Sequence, residues 1–165
     1  MTNPKKSLGQ NFLKDQNIIN KIINLKNIKN KNIVEIGPGS GAITDRILSE
    51  NPRSLIVVEK DGRLLNKLKD KYKNNKSIFF FNNDILKINL EKIIKKDSII
   101  FGNLPYNISS QILVKLVKFQ KWPPKFTDLI LMFQKEVAEK ILEKSYGRLS
   151  IITNYRLKSL GHFNV

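Results

Sequence analysis

Short apolar runs alternate with amphipathic stripes along this chain, and that alternation restricts the folds open to it more than any other feature. Asn32–Ile36, Leu55–Glu59, Ile78–Phe81, Ser98–Phe101 and Leu129–Phe133 each read as a short strand of near-continuous apolar character. Between them, apolar residues recur at helical spacing. Ile18, Ile19, Ile22 and Ile23 follow a capping Asp15, and Ile43, Ile47 and Leu48 form a second stripe. Leu64, Leu65, Leu68 and Tyr72 form a third, Ile112, Leu113, Leu116 and Val117 a fourth, and Val137, Ala138, Ile141 and Leu142 a fifth. A last helix is expected over Leu149–Leu157. Apolar strands separated by helices imply an α/β fold, a mostly parallel sheet with helices on both faces. Sheets of this kind bind ligands at the carboxyl ends of their strands. The residues standing there therefore carry the functional question.

Composition narrows the setting. The 165 residues show no internal repeat and suit one domain. Lys and Arg number 30 against 14 Asp and Glu, a formal charge of +16. Of the basic residues 25 are Lys and only 5 are Arg, beside abundant Ile and Asn, the pattern of an AT-rich coding bias. Part of the charge is therefore compositional, yet a potential of this strength attracts polyanions, nucleic acid first among them. The absence of Cys removes thiolate chemistry and Cys-ligated zinc, and fits a reducing compartment. No apolar run approaches the roughly 18 residues of a membrane span, and Met1–Lys6 lacks the apolar segment of a signal peptide. A soluble, cytoplasmic, monomeric protein is expected, with no metal.

The first strand ends in Glu35-Ile36-Gly37-Pro38-Gly39-Ser40-Gly41-Ala42. Read as G-x-G-x-x-A, this resembles a dinucleotide fingerprint, with Glu59 where that motif places its ribose-binding acid. Pyrophosphate binding uses backbone N–H donors at the helix N-terminus, and Pro38 removes one of them. The alternative is a ligand with a ribose and no phosphate, such as S-adenosylmethionine. Such a ligand needs glycines only for close backbone approach, and an acid at the second strand end for the ribose hydroxyls. Glycines that merely turn a strand into a helix are the bland reading. The acids at two further strand ends, Glu59 and Asp84, weigh against it, and Asp84 can accept a hydrogen bond from an exocyclic adenine amine.

After the fourth strand comes Asn103-Leu104-Pro105-Tyr106. Pro105 fixes its own backbone and restricts Leu104, which makes a stiff turn. The turn presents a side-chain amide, backbone carbonyls and an aromatic face, a set that suits a planar group bearing an amine. The Asn103 oxygen and the Leu104 carbonyl can accept the two amine hydrogens while Tyr106 stacks on the ring. A purely structural turn with Tyr106 in the core is the rival reading.

Gly9-Gln10-Asn11-Phe12-Leu13, Glu35–Gly39, Glu59, Asp84, Gly102–Ser109, Gln134–Ala138 and Tyr146-Gly147-Arg148-Leu149-Ser150 occur in this order along the chain. Together they resemble the small-subunit rRNA adenine N6,N6-dimethyltransferases (the KsgA type), with the macrolide-resistance rRNA methylases as cousins. The Tyr-Gly-Arg-Leu-Ser segment favours the former. The resemblance covers essentially the whole chain and implies a Rossmann-like, class I, S-adenosylmethionine-dependent methyltransferase. It divides the chain into 1–31, a basic segment and helix that would cap the cofactor site, and 32–165, the methyltransferase core. By the same resemblance Gln10, Asn11 and Leu13 close over the methionine end of S-adenosyl-L-methionine, and Gly37 and Gly39 lie against the cofactor. Glu59 holds the ribose, Asp84 the adenine amine, and Asn103 stands between cofactor and target base. The implied substrate is a pair of adjacent adenines in a hairpin near the 3′ end of small-subunit rRNA, each methylated twice within an immature subunit. The family continues with two more strands, an F-x-P-x-P-type segment that helps sandwich the base, and a helical RNA-binding domain. Against that pattern the chain is expected to be truncated before its last strands.

The chemistry implied is an in-line displacement in which the amine nitrogen attacks the sulfonium methyl, with acceptors at Asn103 and Leu104 aiming its lone pair. Positioning and electrostatics supply most of such an acceleration. The target base must be extruded or single-stranded to reach the pocket. Lys5, Lys6 and Lys14 flank the N-terminal motif and are candidate RNA contacts. Lys115 and Lys118 lie in a stretch without acidic residues between Asp97 and Asp128 and are further candidates. Phe79-Phe80-Phe81 reads as a buried strand and His162 as structural. The competing functional classes are a non-catalytic RNA-binding or ribosome-assembly module that keeps the pocket, and, further off, a dinucleotide oxidoreductase.

Overall fold

A strand covered on both faces has no wet side, so its side chains divide by parity between two apolar layers. The computed structural model, which describes residues 12–142 and 147–165, has this arrangement. Strands β1 (Asn32–Ile36), β2 (Ser54–Glu59), β3 (Ile78–Asn82), β4 (Ser98–Asn103) and β5 (Phe126–Met132) form one sheet in the order β3-β2-β1-β4-β5, every neighbouring pair parallel. Ile33, Leu55, Val57, Ile99 and Phe101 point to one layer, where α1 (Gln16–Ile23), α2 (Ala42–Ser49) and α3 (Gly62–Lys71) supply Ile19, Ile23, Ile47 and Leu65. Val34, Ile36, Ile56, Val58 and Ile100 point to the other, against α4 (Leu90–Ile93) and α5 (Ser109–Val117). Each fully buried Ile or Leu contributes about 1.5–3 kcal/mol, so the central strands anchor the sheet from both sides. Helices α6 (Lys135–Leu142) and α7 (Arg148–Arg156) follow β5.

Local chemistry sets the helix starts. The Asp15 carboxylate accepts from the N–H groups of Asn17 and Ile18, and Asp61 accepts from Arg63 N–H, as capping side chains should. Helix α4 is a single turn capped by Asn89, too short to leave a periodic trace in the sequence. Strand β5 begins at Phe126, three residues ahead of the Leu129 start read from hydropathy, because Ser98 of β4 pairs with Phe126.

One expectation needs correcting. The three phenylalanines are a strand but not a buried one: β3 is the sheet edge, and Phe79 is 44% exposed with the Lys95 ammonium 5.0 Å from its ring centre. Among the described residues, no helix is long and apolar enough to cross a membrane. His162 is exposed.

Candidate functional site

Strand order reverses direction at the β1–β4 seam, the place where a doubly wound sheet opens a crevice at its carboxyl edge. Ile36 pairs there with Gly102, which brings the loop after β1 against the turn after β4. Gly37 (φ +68°) lies so close that a Cβ on it would stand 3.6 Å from the Asn103 carbonyl oxygen. Gly39 (φ +57°) is more tightly confined, since a Cβ there would come within 2.9 Å of the Phe12 ring. Only glycine combines that backbone with that space. Phe12 and Leu13 thus lie over the glycine loop, and the cleft beneath is lined by Gly37, Gly39, Glu59, Asp84, Asn103 and Pro105 among others.

Glu59 ends β2 and is 7% exposed. Its Oε1 accepts from Asp61 N–H at 2.8 Å and its Oε2 from Gly39 N–H at 3.3 Å. Burial pushes its carboxyl up, and those two N–H groups oppose the rise. Lys60 N–H opposes the rise as well, and a carboxylate offers about four lone-pair sites, so Glu59 keeps acceptor capacity toward the cleft for a ribose hydroxyl. The Gly39 N–H, which a dinucleotide site would spend on pyrophosphate, is spent here on Glu59. That distinguishes the two ligand readings left open by the loop sequence.

Asp84 follows β3 and is held differently. Leu86 N–H donates to its Oδ1 at 2.9 Å and Lys60 pairs with its Oδ2 at 3.0 Å, and together they hold its carboxyl below the ordinary range. It is therefore a ready acceptor. Asn103 and Pro105 line the cleft, whereas Leu104 turns its side chain into the second core layer at 2% exposure. Tyr106 is 38% exposed and is not among the lining residues, while Asn107 and Ile108 are. Gly102 leaves room for the Leu104 side chain, since a Cβ there would meet Leu104 Cδ2 at 2.6 Å.

Lys14 and Lys118 are exposed. Lys115 is not a free surface cation: its ammonium donates to the carbonyls of Leu86 at 2.8 Å and Ile88 at 2.6 Å. Its ammonium is engaged by the protein's own backbone, which corrects its reading as a candidate RNA contact. Lys5, Lys6, Gln10 and Asn11 lie outside the described residues. Sequence reading also missed supports that leave no motif. Asn82 Nδ2 donates to the Glu59 and Lys60 carbonyls at 3.0 and 3.2 Å, and Asp61 supplies its backbone N–H to Glu59. Among the described residues, no group of His, Cys, Asp or Glu is placed to hold a metal ion.

Glu35 stands just before the glycine loop, 1% exposed, with Thr44 Oγ1 donating to its Oε2 at 2.7 Å. Its Oε1 has no hydrogen-bond partner among the described residues. Burial, with the nearby Asp45 and Glu59 charges, pushes its pKa to about 8, against the Thr44 bond. The folded state thus holds this proton more tightly than the unfolded chain does. The stability it contributes is complete below the ordinary carboxyl value of 4.5 and is lost as pH rises toward about 8. Each unit of pKa difference is worth about 1.4 kcal/mol. Glu35→Gln, neutral at every pH, is expected to gain on the unsubstituted chain between pH 5 and 8.5 by on the order of 3–5 kcal/mol. Urea unfolding at the two pH values measures this, and a constant gap would contradict a neutral Glu35.

A parallel sheet of this order, with a glycine loop, a buried acid at the end of β2 and an Asn-Leu-Pro-Tyr turn at one end, defines a class I methyltransferase fold. A dimethyladenosine transferase from Plasmodium falciparum superposes with a TM-score of 0.74 at 30% identity, over 87% of this chain and 52% of that one. The chain belongs to the ribosomal RNA adenine dimethylase family, whose model matches residues 1–159. The ribosomal RNA small subunit methyltransferase A of Pelagibacter ubique is 46% identical over 157 residues, covering 93% of this chain and 59% of the relative. The protein of the same name from Francisella tularensis subsp. novicida is 46% identical over 162 residues, covering 93% of this chain and 60% of the relative. The chain thus spans about three fifths of the length of these relatives.

Proposed function

We propose that this chain binds S-adenosyl-L-methionine in the cleft at the β1–β4 seam and transfers its methyl group to the N6 amines of adenines in small-subunit rRNA. The observation that carries the cofactor assignment is Glu59, a buried carboxylate at the end of β2 that backbone N–H groups hold in place in the lining of the cleft. Asp84, ionised and lining the same cleft, suits an adenine amine. When bound, the cofactor supplies an electrophilic methyl on a sulfonium. Glu59 binds the ribose diol, and Gly37 and Gly39 admit the ligand to the backbone. Leu13 closes over the far end, with Gln10 and Asn11 assigned there by family resemblance.

The target nitrogen is a poor nucleophile, since its lone pair is delocalised into the ring. Accepting both amine hydrogens at the Asn103 side chain and the Leu104 carbonyl favours a nitrogen whose lone pair is free to attack. Pro105 stiffens that turn, and Tyr106, exposed beside the cleft, offers a face for the incoming base. The methylated amine is acidic and loses its proton to water, so no strong base is required. Lys14 and Lys118, both exposed, are assigned to phosphates, as are Lys5 and Lys6. By family resemblance, 1–31 is assigned to the cofactor site's cap and 32–165 to the catalytic core. The reading places a monomer in the cytoplasm, acting on an immature small subunit.

Titration calorimetry on the 165-residue chain tests the cofactor assignment. Saturable binding of S-adenosylmethionine, near one equivalent per chain, is expected. No heat above dilution would sink the methyltransferase reading and favour an RNA-binding module with a relic pocket.

A further inference from the structure

The segment after β3 is wound around Asp84. The Asp84 carbonyl accepts from Lys87 N–H at 2.9 Å and Ile88 N–H at 3.0 Å, and its carboxylate accepts from Leu86 N–H. Asp84, Ile85 and Leu86 line the cleft, while Ile85 and Ile88 pack into the second core layer. The carbonyls of Leu86 and Ile88 both accept from one donor, the Lys115 ammonium on α5. That donor comes from far along the chain and from the helix that follows the Asn-Leu-Pro-Tyr turn. Burial makes its charge costly and lowers its pKa, with the Asp84 charge opposing. A surface lysine gains nothing from such a position.

We infer that Lys115 is a positioning residue for Asp84: it ties the Leu86 and Ile88 carbonyls to α5 and so sets how strictly the cleft reads the base of its nucleoside ligand. The inference rests on the cofactor reading above and adds a residue that no motif marks. Without the ammonium two carbonyls lose their partner, and the winding that aims the carboxylate loosens. A ligand whose amine bonds Asp84 suffers from that loosening. A ligand with a carbonyl in place of the amine, already repelled by Asp84, does not.

S-adenosylhomocysteine and its deaminated analogue S-inosylhomocysteine separate these cases by calorimetry on the full chain. The unsubstituted protein is expected to prefer the adenine compound by roughly tenfold or more, the worth of one hydrogen bond to a charged group. Lys115→Met, which keeps the packing of the stem, is expected to narrow the preference to about threefold or less, chiefly by weakening the adenine compound. Lys115→Arg, which restores donors, should recover most of it. A merely structural lysine would lower the melting temperature and leave the ratio intact. A folded Lys115→Met with an unchanged ratio therefore overturns the inference while sparing the cofactor reading. If the unsubstituted chain binds neither compound, the cofactor reading fails and this inference with it. Equal binding of both would mean that Asp84 does not read the base. Lys115→Leu, which keeps apolar bulk and has no donor, carries the same test should the Met variant fail to fold.

Discussion

Asn103→Ala is expected to cut methyl transfer to unmethylated small subunits by roughly a hundredfold or more while leaving S-adenosylmethionine affinity within about tenfold. The asymmetry follows from where the residue stands. Asn103 is the last residue of β4, at the seam, and its backbone is fixed by pairing with β5 at Met132 and by contact with the glycine loop. Removing the side chain leaves that frame in place. What goes is one of the two acceptors proposed to orient the amine, and orientation is felt in the transition state more than in the ground state. The loss should therefore fall on kcat, with KM for either substrate little changed. Equal activity in the variant would refute the role.

Glu59→Ala is expected to weaken S-adenosylmethionine binding by roughly a hundredfold, from two hydroxyl contacts to a charged acceptor at about 1.5–3 kcal/mol each, partly offset by water. The effect has a second source inside the protein. Asp61 N–H and Gly39 N–H both donate to this carboxylate, so the Ala variant loses one of the bonds that hold the glycine loop against β2, keeping that from Gly37 N–H to the Val58 carbonyl. Glu59→Gln separates the two: its oxygen still accepts from one N–H, while its amide nitrogen faces the other donor. It should recover part of the stability and little of the affinity. Calorimetry with parallel melting curves reads both quantities, and wild-type affinity in either variant would remove Glu59 from the ribose site.

The central architecture was legible because parallel strands buried on both faces leave continuous apolar runs, and β1, β2 and β4 are of that kind. The same signal misplaced Phe79, since a run of three phenylalanines reads alike in a central strand and at an edge; only the strand order distinguishes them. The strand-end acids were found because hydropathy ends abruptly where they stand. Their supports were not found. Asn82 and Lys115 reach backbone carbonyls of segments remote in sequence, while Asp61 acts through its own backbone N–H, and no side-chain pattern announces either kind of bond. Glu35 was read only as part of a motif, because the burial that changes its chemistry comes from packing around β1 and from the neighbouring Thr44 and Asp45.

The pairing of Ile36 with Gly102 brings the loop after β1 and the turn after β4 together, two stretches of chain that become neighbours only when β4 docks beside β1. A nucleoside that spans Glu59 and Asn103 therefore binds no partly assembled sheet. Its binding energy is linked entirely to the completed one, and at a hundred times its dissociation constant it deepens the folded well by about 2.7 kcal/mol. Cellular ligand supply then becomes a determinant of how much of this protein stays folded, apart from any turnover it supports.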